Sequence, residues 1–124
     1  KPPVKTIGHR ILYYFDSNPN ATIQLLSDSF DFLNEDNTNM KIYDDQNTEG
    51  ETIPFTKNYK VDKNCTIEYT FDTELTSLEG MFENCNQIIQ IEFDAFKSSN
   101  VQSLKNMFSG CTSLEKVDFS TPFA

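Results

Sequence analysis

Few side chains in this 124-residue chain could do nucleophilic or metal chemistry. The single histidine, His9, is far in sequence from the cysteines Cys65, Cys85 and Cys111. Catalytic triads are defined by geometry, and a lone histidine beside Arg10 is more typical of a surface residue. Neither Cys-x-x-Cys nor His-x-x-His spacing occurs, so a zinc site is not predicted. The sequence therefore predicts no catalytic residue, no metal site, no cofactor and no enzyme.

Acidic residues are concentrated in the N-terminal half. Between Ile11 and Thr56, nine Asp or Glu residues stand against one base, Lys41, and the whole chain has a formal net charge of −9. Residues 45–50 have the spacing of the first half of an EF-hand loop, but Thr56 stands where the twelfth-position glutamate should be. We interpret the segment as a solvated acidic loop.

The charge balance also bears on the partners of the chain. Nucleic-acid binders carry basic patches that neutralise phosphates, and anionic membranes attract polybasic segments. No apolar run approaches the roughly 18 residues that span a bilayer. We predict no nucleic-acid partner and no membrane insertion.

Two sequons for N-linked glycosylation occur, at Asn20 and Asn64. Asn20 lies in a predicted turn, where a glycan would fit. Both asparagines are candidate glycosylation sites if the source is eukaryotic.

The C-terminal half contains an internal repeat in which every matched position is separated by the same offset along the chain. The motif Leu-x-x-Met-Phe-x-x-Cys at residues 78–85 recurs at residues 104–111. A helix has a period of 3.6 residues and does not produce so long an offset, whereas stacked repeat units do. The predicted repeat core is Leu78, Met81, Phe82, Cys85, Ile88, Ile91 and Phe93 in the first unit, and Leu104, Met107, Phe108, Cys111, Leu114, Val117 and Phe119 in the second.

Over residues 74–120 the pattern resembles the BspA-type leucine-rich repeat, the 26-residue repeat of microbial and protist surface proteins. The resemblance implies a leucine-rich-repeat-like solenoid, an extracellular or cell-surface location, and adhesion or protein–protein recognition. Within a unit, residues 88–93 predict a strand. Residues 76–79 have capping-box spacing and predict a short helical turn.

We therefore predict a mainly β fold with short helices. A β-rich N-terminal cap covers residues 1–73, and about two solenoid turns, beginning near residues 75 and 101, cover residues 74–124 in one continuous core. In the cap, residues 10–15, 21–26, 40–43 and 66–72 predict strands, the first two forming a hairpin.

The repeat leaves two alternatives open for Cys85 and Cys111. Matched positions in neighbouring units should place their Cα atoms about 4.8 Å apart, within the roughly 4.4–6.8 Å that a disulfide allows. Stacked side chains point the same way, so buried free thiols are the favoured alternative. Cys65 is predicted to be free or differently paired.

The predicted function is a non-enzymatic, extracellular recognition or adhesion module acting through protein–protein contacts. The alternative is a structural subunit that assembles head to tail into a surface filament through its uncapped C-terminal repeat. The partner is then a protein or further copies of the chain. The self-association candidates are Leu114, Val117, Phe119 and Phe123.

Overall fold

The computed structural model describes residues 8–16 and 21–119. Within them eight strands form two sheets. The strands are β1 (His9–Phe15), β2 (Ala21–Gln24), β3 (Thr38–Asp44), β4 (Asn47–Ile53), β5 (Asn58–Val61), β6 (Thr66–Phe71), β7 (Ile88–Ala95) and β8 (Lys116–Phe119).

The larger sheet has six strands in the order β4-β3-β6-β1-β7-β8. Every neighbouring pair in it is antiparallel except β7 and β8, which run parallel. Strands β2 and β5 form a separate antiparallel pair. Because β1 lies between β6 and β7, the N-terminal region and the repeat region share one sheet.

The core lies against one face of the larger sheet. Alternation in β6 places Ile67, Tyr69 and Phe71 on that face, and all three are fully buried. The ring of Tyr13 on β1 contacts Tyr69 at 5.2 Å between ring centroids. Leucines from the segment after β2 and apolar side chains of the first repeat unit complete the same buried cluster.

The predicted helices and solenoid are wrong. The described residues contain no helix, and the repeat region does not close into a solenoid. Positive φ at Gly80 (64°), directly after the predicted helical turn at residues 76–79, and at Asn84 (65°) prevents a helix from continuing through the first unit. Each unit instead contributes one strand, β7 or β8, to the mixed sheet.

The predicted hairpin of residues 10–15 and 21–26 is also wrong. Strand β1 pairs with β6 and β7, and β2 pairs with β5. The turn at residues 17–20 lies outside the described residues. Strong local turn signals therefore did not decide the pairing of β1, because its two apolar-rich neighbours bury both of its edges.

Candidate functional site

The two repeat units lie side by side in the register that the sequence repeat predicts. Strands β7 and β8 pair in parallel, with Phe93 opposite Phe119. The rings of these two residues stack at 5.1 Å, and those of Phe82 and Phe108 stack at 5.6 Å. The second unit therefore covers one side of the first.

Backbone hydrogen bonds join the turn segments of the two units. Alternate N–H groups of the first unit donate to carbonyl groups of the second over 2.7–2.9 Å. The donors are Leu78, Gly80, Phe82 and Asn84, and the acceptors are Ser103, Lys105, Met107 and Ser109. The N–H groups of Met81 and Glu83, which alternate with these donors, and that of Cys85 after them donate to carbonyls three residues earlier in the chain. This alternation replaces the helix that the capping-box spacing predicted.

The second unit repeats this backbone arrangement without the matching acceptors. The N–H groups of Leu104, Asn106, Phe108 and Gly110 have no hydrogen-bond acceptor among the described residues. Asn106 (φ 57°) and Gly110 (φ 77°) have positive φ, as do their counterparts Gly80 and Asn84 in the first unit. We call this outer side of the second unit, together with strand β8, the open face.

Apolar side chains of the open face are only partly covered. Leu104 is 54% exposed and Phe119 42% exposed. The corresponding residues of the first unit, Leu78 and Phe93, are fully buried. Of the predicted repeat core, Leu78, Met81, Phe82, Cys85, Ile88, Ile91, Phe93 and Met107 are buried, while Phe108, Cys111, Leu114 and Val117 are half-buried.

The predicted self-association residues fall partly on this face. Val117 is on the edge strand β8, two residues before Phe119, and lies opposite Ile91 of β7. Leu114 is half-buried in the segment before β8. Phe123 lies outside the described residues.

All three cysteines are free thiols, so the structure contains the thiol alternative and not the disulfide. Burial, with a smaller effect of Cys111, raises the pKa of Cys85 to about 12. Burial also raises the pKa of Cys65 and of Cys111. The Cys111 thiol donates to the carbonyl of Phe82 over 3.0 Å. None of these thiols is activated as a nucleophile.

His9 is buried, which contradicts its prediction as a surface residue. Its ring stacks on Phe71 at 4.5 Å and meets the edge of Phe96 at 4.9 Å. Its Nδ1 accepts the Lys97 N–H over 3.3 Å. Burial is the largest cause that lowers the pKa of His9, and the charge of Lys97 adds to it. His9 is thus an aromatic packing residue in this fold.

A polar network on the other face of the large sheet was missed from the sequence. Arg10 pairs with Glu68 and Asp94, and the Tyr43 hydroxyl donates to Glu68 over 2.9 Å. Burial lowers the pKa of Arg10, but these carboxylates outweigh it and raise the pKa overall. Glu68 is almost fully buried. The regular alternation of β6 predicts a polar-facing side chain at this position and gives no signal of its burial or its partners.

The remaining predictions concern the glycosylation sequons, a metal site and a membrane span. Asn64 is exposed in the loop between β5 and β6, and Asn20 lies outside the described residues. No group of three or more His, Cys, Asp or Glu residues in residues 8–16 and 21–119 could hold a metal ion. The acidic loop predicted for the segment with partial EF-hand spacing is wrong over Asn47–Ile53, which form strand β4. No helix in the described part of the chain has the length and apolar character to cross a membrane.

Comparison of the chain with models of known families, with curated proteins and with solved structures gives no match. The resemblance to BspA-type repeats therefore stays a prediction from the repeat motif. The open face is the feature of the structure that best fits a binding function.

Proposed function

We propose that this chain is a non-enzymatic recognition module that binds another protein through the open face, outside the cell or at its surface. The observation that carries the proposal is the set of N–H groups of Leu104, Asn106, Phe108 and Gly110, which have no acceptor within residues 8–16 and 21–119. They repeat the geometry by which the first unit binds four carbonyl groups. An extended partner segment with carbonyls two residues apart would satisfy them.

Binding of this kind is strand addition, in which backbone hydrogen bonds hold the partner and side-chain contacts select it. Each hydrogen bond contributes a net of about 0.5–1.5 kcal/mol. Covering Leu104 and the partly exposed rings of Phe108 and Phe119 would add the burial of apolar surface. The open face thus offers both directional and hydrophobic contributions.

The extracellular location is supported by the surface-repeat motif and by the exposed sequon at Asn64. A glycan at Asn64 would emerge from the loop between β5 and β6. Strand β6, which follows that loop, is separated from β8 by the strands β1 and β7 of the large sheet. Glycosylation there leaves the edge strand β8 accessible to a partner.

Titration of the 15N-labelled protein with synthetic peptides tests the proposal. Three extended peptides of equal length, one acidic, one neutral and one basic, are compared. We expect saturable amide shifts at Leu104, Asn106, Phe108, Gly110 and along β8 with at least one peptide. Absence of shifts at these amides with all three would contradict the proposal.

A matched pair of variants gives the control. Leu104→Asp places a charge on the open face and should weaken peptide binding. Phe32→Asp makes a similar change at another exposed apolar residue, 46% exposed, in the segment between β2 and β3. It should bind the peptide as the wild type does.

A further inference from the structure

Strand β4 is the other edge strand of the large sheet in the part of the chain that the structure describes. Within the described residues β4 pairs only with β3, at the end of the sheet opposite β8. Four successive antiparallel pairs connect β4 to β7, and β8 is parallel to β7. Strands β4 and β8 therefore point in the same direction. A second copy placed beside the first in the same orientation would bring its β4 against β8 in parallel.

The two edges differ in charge. Strand β4 carries Glu49 and Glu51, both exposed, and no basic residue. Glu51 lies opposite Ile42, a core residue, so its carboxylate is on the core-facing side of the sheet. An acidic edge like this repels another copy of itself.

The open face has complementary groups on the same side of the sheet. The turn segment of the first unit packs on the core-facing side, where the rings of Phe82 and Tyr13 meet with their centroids 6.0 Å apart. The second unit stacks beside that turn, so the exposed Lys105 lies on the same side, together with the N–H groups that have no acceptor within residues 8–16 and 21–119. Lys105 also occupies the position that Glu79 has in the first unit, so an acidic residue next in the stack would continue the alternation of charge.

We propose that the open face binds the β4 edge of a second copy of this chain, head to tail, so that copies add into a linear filament. This rests on the proposed function of the open face and names its partner. The carboxylate of Glu51 accepts hydrogen bonds from the open-face N–H groups and pairs with Lys105, and Glu49 adds negative charge to the same edge. The contact is heterologous and leaves one edge free at each end. Six strands at about 4.8 Å give a repeat of about 29 Å per copy.

A two-fold contact between two β8 edges fits less well. It would bring the N–H groups of one open face against the same groups of the other, without acceptors between them. It would also place Lys105 near its symmetry mate. The charges therefore favour the head-to-tail contact, which can be distinguished by exchanging charges between the two edges.

The test uses two charge-reversed proteins, Glu49→Lys/Glu51→Lys and Lys105→Glu. Sedimentation velocity and light scattering over a concentration series should show an open series of oligomers for the wild type, weakened by salt. Each variant alone should associate at least about tenfold more weakly, because like charges then face each other. An equimolar mixture should regain association, because each variant then meets the opposite charge on the other.

The matched control is Asp31→Lys/Asp62→Lys, which raises the net charge of −9 by the same four units as Glu49→Lys/Glu51→Lys. Both aspartates are exposed and lie outside the strands of the large sheet. This control should associate at least as well as the wild type. Electron microscopy of the wild-type oligomers should show the repeat of about 29 Å.

Four results would overturn the inference. They are a wild type that stays monomeric, a Glu49→Lys/Glu51→Lys variant that associates as the wild type does, a mixture that does not regain association, and a closed dimer in place of an open series. If the open-face amides still respond to the test peptides in such a case, the proposed function stands and only the identity of the partner is wrong. If neither response occurs, both proposals fail.

Discussion

Alanine substitution at the matched positions Phe82 and Phe108 should have very different effects on stability. Phe82 is fully buried and contacts the rings of Phe108, Tyr13 and Phe93. Truncating a buried phenylalanine to alanine costs about 3–5 kcal/mol in the free energy of unfolding. Phe108 is only half-buried, so Phe108→Ala should cost about 1–2 kcal/mol, in proportion to the smaller buried area.

Urea denaturation of monomeric protein measures both values. Small domains are stable by only about 5–15 kcal/mol, so Phe82→Ala should lose a large part of the total. If Phe82→Ala does not fold, Ile91→Val is a smaller truncation in the same core, expected to lower the free energy of unfolding by about 0.5–1.5 kcal/mol. Equal losses for Phe82→Ala and Phe108→Ala would refute the reasoning, because the two units would then be equally buried and the open face would not be open.

Three further predictions concern the buried polar groups. The pKa of His9 is lowered in the folded state, so the free energy of unfolding should fall as the pH drops through 6.5. His9→Phe should remove this pH dependence in urea titrations. A wild type whose stability does not change between about pH 5 and about pH 7 would contradict the prediction. Cys85 should resist alkylation until the protein unfolds, whereas the half-buried Cys65 should react in the folded state, as mass spectrometry can show; equal rates would be the contrary result. Arg10→Met should destabilise the protein by about 1–3 kcal/mol more than Arg10→Met/Glu68→Leu does. The single variant leaves the Glu68 carboxylate buried with fewer hydrogen-bond donors. A double variant that is less stable in urea than the single variant would count against this.

The sequence predicts the relation between the two repeat units well. Apolar side chains recur at equivalent positions of the two units because matched positions pack on one another, as the ring stack of Phe93 on Phe119 shows. The strand at residues 66–72 is predicted from its alternation, and β6 spans Thr66–Phe71. These features depend on side-chain pattern, which a single sequence contains.

Features set by backbone hydrogen bonds or by distant partners are not visible in that pattern. Capping-box spacing predicts a helical turn at residues 76–79, but the N–H groups of Leu78 and Gly80 donate sideways to the second unit. The hairpin of β1 and β2 is wrong because β1 pairs with strands far along the chain. The apolar residues of the open face could be predicted from the repeat. The N–H groups of its turn segment that lack an acceptor among the described residues could not, since every non-proline residue has an N–H group.

Backbone hydrogen exchange of the monomeric protein tests the central claim most directly. The amides of Leu78, Gly80, Phe82 and Asn84 donate to the second unit and should exchange slowly. Those at the equivalent positions of the second unit, Leu104, Asn106, Phe108 and Gly110, should exchange fast. Equal protection of the two sets, or fast exchange of both, would contradict the account of one covered unit beside one open face.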